Sequence, residues 1–263
     1  MLRCAMLADA HIHLADLLER DPDSPERLAG RSWICCSASH DEAEWSTTEA
    51  LRGRLPPFAS SFGIHPQRAA WKHAGFLERL AAEGRIAAIG EAGFDFYGDK
   101  PERVRNAENE GAQRAVFEYQ LDLAERHDLP ILLHLRKAMD LAFEYAPRLK
   151  HLRAVVFHSF PGSGEDARSL LAKGVNAFFS FGMPLINGNK RSAEACASIP
   201  EDRLLSETDA PWQPPRGADF CRAEDLDRVV GGMVALRGSD RIGLELALAR
   251  NFAAAFALEA PSP

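Results

Sequence analysis

Seven ionisable residues stand where they could share cations: His11, His13, His65, Glu91, His134, His158 and Asp209. His11 and His13 are two apart in Asp9-Ala10-His11-Ile12-His13, at the polar end of the apolar run Met6-Leu7-Ala8. Alternate residues of a strand share a face, so Asp9, His11 and His13 would project together while Ala10 and Ile12 face away. Two imidazoles converging from one strand are good metal ligands, although an isolated His-x-His also occurs as two ordinary surface or core histidines. Later segments supply the partners. His65 follows Phe58-Ala59-Ser60-Ser61-Phe62-Gly63-Ile64, Glu91 closes Ile86-Ala87-Ala88-Ile89-Gly90, and His134 follows Ile131-Leu132-Leu133. His158 follows Ala154-Val155-Val156-Phe157, and Asp209 comes just after Leu204-Leu205-Ser206-Glu207. A donor set of imidazoles and two carboxylates with no thiolate suits Mg²⁺, Mn²⁺ or Zn²⁺ and disfavours a structural zinc. It is large enough for two divalent metal ions, with a bridging carboxylate holding them close and a water activated between them.

The elements that must position these residues are short strands. Ser32-Trp33-Ile34-Cys35-Cys36-Ser37 and Val175-Asn176-Ala177-Phe178-Phe179-Ser180 complete a series of eight apolar runs. Helical spacing predicts helices over 41–54, 74–83, 113–127 and 164–173, and a last helical region over 223–258 weakened by Gly231, Gly232 and Gly238. The fourth strand is expected to end on Glu91, with Gly93 turning the chain. Strand–helix alternation over 263 residues predicts a (β/α)8 TIM barrel, a single domain over residues 1–263, whose strand C-terminal ends share one mouth. Near-continuous apolar runs fit strands buried on both faces. No Gly-x-Gly-x-x-Gly follows the first strand, which argues against a dinucleotide fold.

A hydrophobic content of 46% is enough for a full core, and a formal net charge of -7 excludes a generally basic nucleic-acid platform. It does not exclude an enzyme whose site is made locally positive by bound cations. Cys4, Cys35, Cys36, Cys196 and Cys221 form no Cys-x-x-Cys pair, and the expectation is a reducing, cytoplasmic setting. No apolar stretch is long enough to span a membrane, and the N-terminal run is broken too early for a signal peptide. Residues 98–111 read as a long loop leading into a helix. The expected state is a monomer.

The segments Asp9-Ala10-His11-Ile12-His13, Gly63-Ile64-His65-Pro66, Ile89-Gly90-Glu91-Ala92-Gly93-Phe94-Asp95-Phe96, His134-Leu135-Arg136, His158-Ser159-Phe160 and Glu207-Thr208-Asp209-Ala210-Pro211 resemble the TatD family of metal-dependent deoxyribonucleases. The likeness runs from Asp9 to about Trp212, with a weaker echo in 251–256. It implies an amidohydrolase-like barrel in which His11, His13, Glu91 and Asp209 bind one metal ion and Glu91, His134 and His158 the second. Asp209 would also accept a proton from the attacking water, so Asp209 and Glu91 are the catalytic candidates. His65 and Arg136 match positions near the substrate phosphate. The resemblance implies phosphodiester hydrolysis of DNA, commonly from the 3′ end, with single strands as the expected partner.

Several residues keep a second meaning. Arg136 has a fork suited to phosphate but could pair with a carboxylate. Glu207 and Asp9 are expected to orient or balance the site from behind the ligands, and Asp95 either supports the loop after Glu91 or stabilises a turn. Asn187-Gly188-Asn189-Lys190-Arg191 follows the seventh strand and could touch a nucleic-acid backbone. Residues 213–227 lack the Asn-Glu-Pro of many relatives, and 13–33 lack their usual helix–glycine–strand pattern, which leaves the substrate open. The competing function is an amidohydrolase cleaving a small amide, ester or lactone at the same metal site.

Overall fold

In the computed structural model, residues 6–69, 71–98 and 100–258 are described; Arg3, Cys4 and the 260–263 tail lie outside them. Eight parallel strands lie side by side in sequence order: β1 (Leu7–Ile12), β2 (Trp33–Ser39), β3 (Ala59–Phe62), β4 (Ala88–Asp95), β5 (Ile131–Arg136), β6 (Val155–Phe157), β7 (Ala177–Phe181) and β8 (Leu204–Ser206). Helices follow every strand, from Leu14–Arg20 after β1 to Leu226–Arg237 and Arg241–Ala255 after β8. The fold is the expected (β/α)8 barrel. No helix among the described residues is long and apolar enough to cross a membrane.

Burial on both faces explains the apolar runs. An inner layer takes Ala8, Cys36, Ala59, Ala88, Leu132, Val156, Phe178 and Leu205, one from each strand, together with Phe252, Ala255 and Phe256 of the C-terminal helix. The larger layer packs the other strand faces, such as Cys35, Ile131, Leu133 and Phe179, against the surrounding helices. The C-terminal helix therefore closes the barrel floor, and Asn251 anchors it by donating to the carbonyls of Glu201 (2.7 Å) and Leu204 (2.9 Å). That contact accounts for a sequence signal in 251–256, far from the mouth. The helical region expected over 223–258 is broken at Gly238, which caps Leu226–Arg237 in a left-handed conformation.

Two strand boundaries differ from expectation. β4 does not turn at Gly93 but continues to Asp95, pairing Gly93 with His134 and Asp95 with Arg136 of β5. Gly93 has φ 137°, and a Cβ there would lie 2.2 Å from the His134 carbonyl oxygen; the glycine serves close strand approach, not a turn. β2 runs on to Ser39, two residues past the expected end, which brings His40 to the mouth.

The seam between β8 and β1 is closed largely by side chains. Ser206 Oγ donates to the Ala8 carbonyl (2.6 Å), and the Asp9 carboxylate accepts from Thr208 N–H (2.9 Å) and Thr208 Oγ1–H (2.7 Å). Above these, Asp209 N–H donates to His11 O (2.9 Å) and His13 N–H to Ala210 O (2.8 Å). Asp9 pairs in register with Cys35 of the outer layer, and the register slips between Asp9 and Ile12, so the simple alternation expected for Asp9, His11 and His13 does not hold. Burial lifts the Asp9 carboxyl to about 7 against the lowering effect of its Thr208 bonds. Replacing Asp9 with Ala leaves Thr208 N–H unpaired inside the wall and should lower the unfolding free energy by about 1–3 kcal/mol. Urea denaturation in EDTA measures this, and an unchanged midpoint would show that the seam does not depend on Asp9.

Candidate metal centre

Glu91, on β4 and only 3% exposed, is the centre of the mouth. Three imidazoles face each of its oxygens. Nε2 atoms of His11 (3.4 Å), His13 (3.4 Å) and His40 (3.0 Å) approach Oε2. His134 Nδ1 (3.0 Å), His158 Nε2 (3.2 Å) and His65 Nε2 (3.8 Å) approach Oε1. Burial alone would raise the Glu91 carboxyl, but the surrounding imidazoles, His11 foremost, hold it well below the usual range.

The spacing within these groups tests whether cations fit. Four ligands at 2.0–2.1 Å in a tetrahedron stand about 3.3 Å from one another. His11 Nε2 and His13 Nε2 are 3.1 Å apart, each is 3.4 Å from Glu91 Oε2, and Asp209 Oδ1 lies 3.4 Å and 3.3 Å from the two. Those are five of the six edges of a four-ligand group, the Glu91–Asp209 edge aside. On the other side, Glu91 Oε1, His134 Nδ1 and His158 Nε2 are separated by 3.0, 3.2 and 3.3 Å, one face of a tetrahedron with the fourth corner left to the cavity. The donor atoms on both sides of Glu91 are thus spaced as metal ligands are.

Neighbours decide which ring nitrogen each histidine offers. His134 Nε2 lies 2.9 Å from Asp95 Oδ2, and a carboxylate only accepts, so Nδ1 is left as the donor atom toward Glu91. Burial alone would push the His134 imidazole down, but its bonds to Asp95 and Glu91 outweigh that and lift it to about 9. His158 turns Nδ1 toward Glu207 Oε1 (3.3 Å), which also accepts from Ser159 N–H (2.8 Å). His65 is different: its Nδ1 accepts from Gln67 N–H (3.1 Å), so the neutral ring carries its proton on Nε2, as a donor toward the cavity. Burial and the neighbouring His134 hold His65 well below its ordinary value, which favours that neutral form.

Asp209 stands at φ 57°, an uncommon conformation for a non-glycine residue, held by the seam bonds on either side of it. Burial would raise its carboxyl, yet His11 and His13 keep it lowered and ionised. Its Oδ2 accepts from Gln213 Nε2 (2.5 Å), and Gln213 also meets Ser159 Oγ. Arg136 is exposed on the rim of a cavity of about 890 Å³, with its guanidinium 4.3 Å from the Tyr97 ring centroid. Asp9 reaches no imidazole; its bonds go to Thr208 and the His11 amide. Lys190 and Arg191 open the helix Lys190–Ser198.

Two residues of the site, His40 and Gln213, escaped the sequence reading, and a third, Asp95, was read only in part. His40 lies one residue past the end of β2, as His13 and His158 do for β1 and β6, but β2 was expected to stop at Ser37. Asp95 takes the turn role weighed for it, accepting Tyr97 N–H (2.8 Å) through Oδ1; no loop follows Glu91 for it to support, and its Oδ2 faces His134 instead, a contact that was not expected. Gln213 lies in the 213–227 segment that departs from the relatives' pattern, and no spacing signal singles it out.

The profile of the family described as TatD related DNase matches residues 8–257. The chain belongs to this family. A relative from Erwinia amylovora, named 3'-5' ssDNA/RNA exonuclease TatD, is 35% identical over 76% of this chain and 78% of its own. One from Mycobacterium tuberculosis, named uncharacterized metal-dependent hydrolase TatD, is 31% identical over 80% and 81%. The crystal structure of YJJV, a TATD homolog from Escherichia coli, superposes with a TM-score of 0.83 at 25% identity, covering 97% of this chain and 99% of that one. The enzyme is a metal-dependent hydrolase.

Cations must compete with protons for the imidazoles. The raised His134 value means that its proton-linked pairing is complete below the ordinary value of 6.5 and is lost as pH rises through about 9. Divalent-metal affinity should therefore climb across that window, with proton release on binding. Calorimetric titration in buffers of different ionisation enthalpy reads it; a flat affinity from pH 6 to 9 would contradict it.

Proposed function

We propose that the enzyme is a binuclear phosphodiesterase that degrades single-stranded DNA from its 3′ end. One ion is held by His11, His13, Glu91 and Asp209, and the other by Glu91, His134 and His158. The observation that carries this reading is Glu91, whose two oxygens face two separate donor groups. When bound, the ions supply Lewis acidity to a phosphoryl oxygen and lower the pKa of the attacking water.

The chain's own residues do the rest. Asp209 takes the water's proton at Oδ2, the oxygen turned away from the imidazoles and steadied by Gln213. His65 donates from Nε2 to a phosphate oxygen, and the Arg136 fork takes the flanking phosphate. Asp95 and Glu207 fix the rings of His134 and His158, and Asp9 fixes the backbone from which Asp209 projects.

The rim favours nucleic acid over a small amide or lactone. Arg68, Arg103, Arg136 and Lys137 line the cavity, so a polyanion meets local positive charge despite the chain's net charge of -7. Tyr97 and Trp212, about half exposed, also line it and present aromatic faces on which unpaired bases can stack.

Purified enzyme in Mn²⁺ should shorten a single-stranded DNA oligonucleotide from the 3′ end and leave small amide and lactone substrates untouched. Intact DNA with turnover of a small substrate would transfer the assignment to the amidohydrolase reading. Asp209→Asn should lower the hydrolysis rate roughly 10²–10⁴-fold while keeping most of the bound metal. Unchanged turnover would remove Asp209 from its role.

A further inference from the structure

His40 is the third imidazole on Glu91 Oε2, and neither ligand group above uses it. Its Nδ1 lies 3.2 Å from the Gly63 carbonyl, which can only accept, so the ring proton of the neutral form sits there. That leaves the Nε2 lone pair aimed at Glu91 Oε2, 3.0 Å away. Two lone pairs at that distance repel unless a proton, as in the imidazolium, or a metal cation that displaces it stands beside both. The ring is also held from its backbone: His40 N–H donates to Glu44 Oε2 (2.7 Å), and Glu44 belongs to the helix Glu42–Ala50 that Asp41 caps. Orientation of the far ring nitrogen by a carbonyl is the usual support of a metal-binding imidazole.

The donor atoms of His13, His40 and Glu91 all lie within 4.8 Å of one another. A separate third ion among them is ruled out by His13, whose Nε2 has one lone pair and is already turned to Glu91 and Asp209. A cation bound through His40 would therefore be the one shared with His13 and Glu91. His65 offers no such atom, because its Nε2 carries the proton.

We propose that His40 Nε2 is a fifth ligand to the ion held by His11, His13, Glu91 and Asp209, making that site a three-imidazole, two-carboxylate set that selects Zn²⁺ over Mg²⁺. Mg²⁺ favours octahedral oxygen ligation and keeps its waters, whereas imidazole nitrogens suit zinc. The inference rests on the binuclear reading above. It adds a ligand from β2 and assigns a metal class to one of the two positions.

Wild-type crystals soaked in Zn²⁺ and measured at the zinc absorption edge test it directly. The expected result is an ion within about 2.2 Å of His40 Nε2. Two ions with neither closer than about 3 Å to that atom would overturn this inference alone, given zinc–nitrogen bonds near 2 Å. Fewer than two ions would overturn the binuclear reading itself. In calorimetry, His40→Ala should weaken one of the two Zn²⁺ sites roughly tenfold or more, leave the other unchanged and narrow the Zn²⁺/Mg²⁺ preference. Unchanged affinities for both ions in a folded variant would also overturn it, and the wild-type crystals decide the matter if the variant does not fold.

Discussion

A carboxylate buried as deeply as Glu91 is stable only if positive charge surrounds it. Six of the chain's nine histidines provide that surrounding, contributed by β5 and by the ends of β1, β2, β3 and β6. Without cations, protons on His11 and His134 serve the purpose, and both imidazoles are raised above their ordinary value by the carboxylates they face, against the opposing effect of burial. In the proposed metal-loaded site the same lone pairs would be the ligands. Charge compensation at one side chain thus links the fold, the metals and the chemistry.

The barrel's last closure and the Asp209 carboxylate at its mouth are one piece of chain. In an eight-stranded barrel ordered by sequence, β4 stands across the mouth from β8, so Glu91 and Asp209 approach His11 and His13 from opposite sides. β8 is short, and its junction with β1 is made by side chains and by the bonds around Asp209. Those bonds hold Asp209 in a left-handed conformation it would not choose alone. Asp9 serves the site by fixing the chain that carries Asp209, without touching a ligand ring.

Charge is distributed at two scales. The chain as a whole is acidic, while the mouth gathers Arg68, Arg103, Arg136 and Lys137 beside Tyr97 and Trp212. Net charge alone speaks against a nucleic-acid platform, while basic side chains are concentrated at the mouth. The divergent 213–227 segment contributes to the site through Gln213, whose bonds to Asp209 and Ser159 join the loops after β6 and β8.

Much was legible in the sequence because barrel strands are buried on both faces and write themselves as apolar runs, each closed by a polar residue. That pattern determined the eight-strand alternation and led to His11, His13, His65, Glu91, His134, His158 and Asp209. What it could not carry was anything set by contact between distant segments. Gly93 reads as a turn until β5 is seen lying against it. His40 is hidden because Ser37, Ala38 and Ser39 look like a strand already ended, and only pairing with β3 keeps β2 extended to Ser39. Which nitrogen each ring presents, and so whether His40 and His65 are ligand or donor, is decided by the Gly63 carbonyl and the Gln67 amide. Those partners are known only after folding: residue type states what a side chain can bind, and its neighbours in space determine which lone pair or proton remains free to do so.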